Sequence, residues 1–74
     1  MVKQKRIRII IEVNDKKYKS DETEASDKEI QDLEEAIVKA VSGKLEYFSI
    51  IHNGHNVYFS KVKLYNSVIT LEIN

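Results

Sequence analysis

The chain has 74 residues, in which 12 basic and 12 acidic side chains cancel, and it contains no cysteine. This length predicts one small domain, residues 1–74, with a modest core that disulfides cannot stabilise. We therefore expect self-association, most simply as a homodimer, and the lack of cysteine is consistent with a cytoplasmic protein.

The amino-terminal residues place basic side chains ahead of isoleucines, but the uninterrupted apolar run is only 9–11, and Glu12 follows it. A signal peptide or a membrane span needs a longer apolar run. The sequence therefore predicts no membrane partner.

Residues 6–13 alternate in polarity, which predicts a first strand with Ile7, Ile9, Ile11 and Val13 on one side. Asn14-Asp15 is a two-residue turn signal, and a second strand over residues 16–19 would then place Lys17 opposite Glu12. Residues 20–25 are predicted to form a polar connector.

Residues 26–43 predict one amphipathic helix. Ser26 and Glu29 have the spacing of a capping box, and Gly43 is a helix stop signal. The apolar residues recur at helical spacing along one stripe: Ile30, Leu33, Ala36, Ile37, Ala40 and Val41.

Two further turns predict a three-stranded meander after the helix. Asn53-Gly54 is a strong hairpin signal that sets Phe48 against Phe59, and a turn at residues 66–67 would set Leu64 against Ile69. The predicted fold class is α+β, in the order ββαβββ, with a mostly antiparallel sheet and one amphipathic helix packed on one face.

This meander has two sides, and we expect the helix to cover the larger apolar one: Leu45, Tyr47, Ile51, Tyr58, Val62, Leu64, Ile69, Leu71 and Ile73. The other side then exposes an apolar patch, with Ile10 nearby: Phe48, Ile50, Val57 and Phe59. Such a patch predicts a protein-interaction surface, used for dimerisation or for a partner protein. The alternative is that the connector or a twisted hairpin folds over it.

Motifs for catalysis are missing from the sequence: a cysteine nucleophile, Gly-x-Ser-x-Gly, a glycine-rich phosphate loop and His-Glu-x-x-His. His52 and His55 flank a turn, but a metal site needs three or four ligands. We expect no enzyme activity, no cofactor and no bound metal.

The charges are unevenly distributed. Residues 21–35 hold eight carboxylates against the single Lys28. They predict an acidic surface that could bind a basic groove on another protein, although a solvated face is the more ordinary interpretation; its candidate residues are Glu24, Asp27, Asp32, Glu34 and Glu35.

Basic residues of the first hairpin predict an alternative function. Arg6, Arg8 and Lys17 could contact phosphates while Phe48 and Phe59 stack on bases, as in sheet-based nucleic-acid-binding proteins. A near-neutral isoelectric point and the missing consensus of RNA-recognition domains weaken this hypothesis.

In its size and its composition rich in lysine, isoleucine and asparagine, the chain resembles the small accessory proteins of bacteriophages and mobile elements. This resemblance implies an inhibitor of a host defence or regulatory protein. It rests on composition alone and assigns no functional residue.

Overall fold

The computed structural model describes residues 4–74, so Lys3, one of the early basic residues, lies outside the described part. The protein is α+β, with antiparallel strands and one main helix, in an order consistent with the predicted ββαβββ. The elements are β1 (Lys5–Val13), β2 (Lys16–Lys19), β3 (Thr23–Ala25), α1 (Asp27–Val41), β4 (Tyr47–His52), β5 (His55–Ser60), α2 (Lys61–Leu64) and β6 (Val68–Ile73).

Strand β1 is the centre of a four-stranded sheet. It pairs with β6 along one side, and with β2 and then β3 along the other. The predicted first hairpin is confirmed, because Ile11 pairs with Tyr18 and Glu12 with Lys17. Its turn residues both have positive φ, as a type I′ turn requires.

A β-bulge separates β2 from β3. Ser20 makes two hydrogen bonds with Ile9, each 2.8 Å long. Its backbone N–H donates to the Ile9 carbonyl, and its Oγ accepts from the Ile9 N–H. Because Ile7 pairs with Thr23, Asp21 and Glu22 both stand opposite the single residue Arg8. The predicted connector is therefore partly a strand, and the bulge turns two carboxylates toward neighbouring groups.

Helix α1 confirms the predicted helix and both of its end signals. The Ser26 Oγ accepts from the Glu29 N–H at 3.2 Å, and Glu29 Oε1 accepts from the Ser26 N–H at 3.0 Å. Gly43 adopts φ +78° just beyond the helix, where the Lys44 N–H donates to the Lys39 carbonyl.

Strands β4 and β5 form a separate two-stranded ribbon, called here the β4–β5 ribbon. Its register is the predicted one, with Phe48 opposite Phe59 and Ile50 opposite Val57. Asn53 and Gly54 at the turn have φ values of +52° and +78°.

The predicted second turn of the meander is wrong. After β5 the chain forms the short helix α2, in which the Ser60 Oγ accepts from the Lys63 N–H. Leu64 is buried, and the Ser67 N–H and Oγ both donate to its carbonyl. Strand β6 is thereby directed to β1 rather than to β5, because the isoleucine-rich β1 offers a longer apolar partner.

The predicted sides of the β4–β5 ribbon are inverted. Phe48, Ile50 and Phe59 have exposed fractions of only 6%, 4% and 4%, so they are part of the core and not an open patch. The physical reason is the chemistry of the rings: a phenylalanine leaves no polar group unsatisfied when buried, whereas tyrosine keeps its hydroxyl in water on the other side.

The core lies between the four-stranded sheet on one side and helix α1 and the β4–β5 ribbon on the other. The β1 residues Ile9, Ile11 and Val13 pack with the ribbon's Phe48 and Phe59. Helix α1 adds Ala40, with Leu33, Ala36 and Ile37 half-buried at its border, and Tyr18 meets Phe59 edge to face at 5.2 Å. The inward-facing isoleucines of β1, Ile9 and Ile11, which we call the isoleucine row, thus pack in one core with both the ribbon and α1.

Candidate interaction surfaces

The outer side of the β4–β5 ribbon exposes two tyrosines and an isoleucine. Tyr47, Ile51 and Tyr58 have exposed fractions of 59%, 54% and 63%, and the two tyrosine rings meet edge to face at 5.7 Å. We call this set the tyrosine face. The sequence analysis predicted that these residues lie under the helix. The alternation of Tyr and Ser with Phe and Ile was the signal that could have identified them as the solvent-exposed side of the ribbon.

The predicted interaction patch does not exist as an exposed surface. Phe48, Ile50 and Phe59 are buried and Val57 is half-buried. Ile10 is also half-buried, and it alternates in β1 with the buried Ile9 and Ile11, so it lies on the opposite side of the sheet from the core. The expectation that these five residues form an open contact site is therefore wrong.

Within residues 4–74, strand β6 pairs with another strand on one side only. The Asn74 N–H donates to the Arg6 carbonyl, and by alternation residues 68, 70 and 72 are the β6 residues that exchange hydrogen bonds with β1. The N–H and C=O groups of Ile69, Leu71 and Ile73 therefore point away from β1, where no strand among residues 4–74 pairs with them. We call this side the open edge.

A shallow apolar groove runs beside the open edge. Helix α1 contributes Ile37, the 62%-exposed Val38 and Glu34. Strand β6 contributes the side chains of Ile69, Leu71 and Ile73, so the same three residues present backbone groups to the edge and side chains to the groove. This groove was not predicted, because the sequence placed β6 inside the meander.

The predicted acidic residues are all exposed: Glu24, Asp27, Asp32, Glu34 and Glu35. Asp27 forms an ion pair with Lys5 at 3.4 Å, and Glu34 borders the groove. On α1, the side away from the sheet and the border of that side hold Asp27, Asp32, Glu34 and Glu35, as expected of a solvated helix surface.

The predicted basic residues are each paired with a carboxylate. Arg6 and Arg8 both approach Glu22 at 3.7 Å, and Lys17 lies 3.7 Å from Glu12. These exposed pairs are weak in water, but they reduce the positive potential that phosphates would meet.

Asp21 of the bulge joins the four-stranded sheet to the ribbon. Its carboxylate oxygens accept from the Asn53 and Gly54 N–H groups, each at 2.9 Å, and its own N–H donates to the Ile51 carbonyl at 2.7 Å. The hydrogen bonds from Gly54 and then Asn53 lower the pKa of Asp21. Beside it, His52 Nδ1 donates to the Lys19 carbonyl at 2.6 Å.

Residues 4–74 contain neither a cluster of metal ligands nor a helix that could span a membrane. No group of three or more His, Cys, Asp or Glu side chains within residues 4–74 has the arrangement of a metal site. No helix in that part of the chain is long and apolar enough to cross a membrane.

Comparison with known proteins gave no relative. No protein-family model matches the chain, and no curated protein or solved structure shows significant similarity to it.

Proposed function

We propose that the chain is a small, non-catalytic protein-binding module that acts as a homodimer and inhibits a host protein. The observation that supports it best is the tyrosine face, which exposes aromatic area on a ribbon whose other side is anchored in the core. Tyrosine is enriched at protein–protein contacts because its rigid ring contributes apolar area while its hydroxyl stays hydrogen-bonded.

The composition of the chain supports the inhibitory part of this proposal. The resemblance to accessory proteins of phages and mobile elements supports an inhibitory role toward a defence or regulatory protein of the host. The exposed carboxylates of α1 would steer a partner with a basic surface toward the module.

Nucleic-acid binding is the alternative function, and it stays a prediction. Its three candidate residues are each engaged by a carboxylate. Phe48 and Phe59, its candidate stacking platforms, are buried. These observations favour the protein-binding proposal over the alternative.

The test is a pull-down from a lysate of the source cell with three tagged baits: wild type, the double variant Tyr47→Ser/Tyr58→Ser, and the control Tyr65→Ser. Tyr65 is more exposed than the tyrosines of the tyrosine face and lies beside the end of α1. We expect wild type and the control to retain the same protein, and the double variant to retain at least about tenfold less of it. The reason is that aromatic anchors carry most of the binding energy of an interface.

Equal retention by all three baits would remove the tyrosine face from the proposal. Fluorescence anisotropy with single-stranded and duplex oligonucleotides tests the alternative, since phosphate contacts weaken steeply as salt rises. Salt-sensitive binding that is lost with Arg8→Gln would favour the nucleic-acid function instead.

A further inference from the structure

We infer that two copies of the chain associate through the open edge of β6, with the two β6 strands antiparallel about a two-fold axis at Leu71. The two four-stranded sheets then form one continuous sheet. This inference rests on the proposed homodimer and specifies its interface.

The two edges of the sheet, one formed by β2 and β3 and the other by β6, differ in how they are protected. Strand β2 carries three exposed lysines in four residues, a charge pattern that opposes strand addition. The hydrogen bonds of Asp21 and His52 also hold the chain at the end of β2 against the ribbon. Strand β6, with the sequence VITLEI, has no lysine, no proline and no bulge in its pairing with β1. A strand of six residues whose outer side is unpaired within the described part of the chain is a template for a further strand.

The hydrogen-bonding groups of the open edge match those of a second copy. Because the outward N–H and C=O groups belong to residues 69, 71 and 73, an antiparallel β6 centred on Leu71 pairs residue 71 with itself and residue 69 with 73. All three outward residues then exchange hydrogen bonds, which a register shifted by one pair in either direction would not achieve.

The side chains are compatible with this register as well. The only charged residue of the strand, Glu72, stands opposite the uncharged Thr70 of the second copy, and Arg8 lies beside it in β1. A register centred on residue 72 would set two carboxylates against each other, which is unfavourable. On the other side, Ile69 meets Ile73, so the grooves of the two copies merge and the exposed Val38 is covered.

The inferred contact is small for an interface between two proteins. Six residues at about 3.4 Å each give an edge roughly 20 Å long, and a sheet with one helix layer is about 20 Å thick, so each copy contributes roughly 400 Å². Stable complexes bury about 800 Å² on each partner. We therefore expect a dimer that dissociates on dilution in the micromolar range.

The first experiment is analytical ultracentrifugation of wild type, Val38→Lys and Val62→Lys over a micromolar to submillimolar concentration series. Val38→Lys places an ammonium group at the merged groove and should raise the dissociation constant by about tenfold or more. Val62 is 84% exposed on α2 and lies outside the groove, so Val62→Lys should dimerise like wild type. Circular dichroism verifies that each variant is folded.

The second experiment measures the register by cysteine cross-linking, for which the cysteine-free chain is suited. Thr70 and Glu72 are exposed, and the inferred register makes them neighbours across the axis in a pair without backbone hydrogen bonds, where Cα atoms lie about 4.5 Å apart. Chains carrying Thr70→Cys mixed with chains carrying Glu72→Cys should form a disulfide-linked dimer under mild oxidation, in at least about fivefold excess over either chain alone.

The outcomes separate this inference from the proposal beneath it. A wild-type chain that stays monomeric at submillimolar concentration contradicts the homodimer itself. A dimer that survives Val38→Lys and gives no mixed cross-link keeps the homodimer but overturns the β6 interface. Cross-linking of the Thr70→Cys chain with itself overturns the register centred on Leu71.

Discussion

Asp21 connects the two sheets of the protein through its carboxylate and its backbone N–H. Both of its oxygens accept backbone N–H groups from the ribbon turn, and its own N–H donates to Ile51. The turn groups of Asn53 and Gly54 would otherwise depend on water, so this side chain, together with His52, holds the ribbon against the bulge.

At this residue we predict that Asp21→Asn lowers the midpoint of urea unfolding, because an amide has one acceptor oxygen where the carboxylate has two and loses the negative charge that strengthens both bonds. Asp32→Asn is the control, since Asp32 is exposed on α1. An equal midpoint for the two variants would contradict the role given to Asp21.

The same contacts predict a pH dependence. Because the pKa of Asp21 is lowered in the folded protein, its contribution to stability is fully present above the ordinary aspartate pKa of ~3.9 and is lost as the pH falls through the lowered value. The pKa of Glu29 is lowered in the same direction by its hydrogen bonds with the Ser26 N–H and hydroxyl. Unfolding midpoints measured from neutral pH down to ~2 should therefore show a smaller acid-induced loss in Asp21→Asn than in wild type.

At the scale of single elements, the predicted features are those specified by neighbouring residues. The Asn14-Asp15 and Asn53-Gly54 turns and the Ser26–Glu29 capping box all formed as their sequences indicate. The turn expected at residues 66–67 did not, because Ser60 instead caps a helical turn and β6 pairs with a strand about sixty residues earlier. Local chemistry does not indicate which distant strand a segment will meet.

For helix α1 we predict that Ser26→Ala destabilises the protein by about 0.5–2 kcal/mol, because the Glu29 N–H loses its side-chain acceptor and the capping box is broken. Thermal denaturation followed by circular dichroism measures the change. Ser26→Asp, which restores an acceptor and places a negative charge at the helix start, should recover most of the loss; an unrecovered loss would assign Ser26 a role other than capping.

At the scale of the whole molecule, the sequence predicted the fold class but not the side of the ribbon that faces the core. Both sides carry large apolar residues, so alternation alone could not distinguish them. The candidate patch of Phe48, Ile50 and Phe59 failed for this reason, and the open edge could not be predicted until β6 was known to pair with β1.

Adjacent residues of β5 provide the test of this inside-outside arrangement. Phe59→Ala should destabilise the protein by about 3–5 kcal/mol through the cavity left in the core. Tyr58→Ser, one residue away and 63% exposed, should cost less than about 1 kcal/mol. Urea unfolding of both variants gives the comparison, and a larger loss for Tyr58→Ser would mean that the ribbon faces the other way.

The central position of β1 has a consequence for biosynthesis. Its partner β6 comes after every other described strand, so Ile73 pairs with Ile7 only after all the elements between them have been made. A ribosome therefore releases the isoleucine row of β1 long before the strand that completes its sheet has been translated. Completion of the sheet then requires a long-range search by β6, which is slow because the loop-closure entropy must be lost before the contacts between β1 and β6 form.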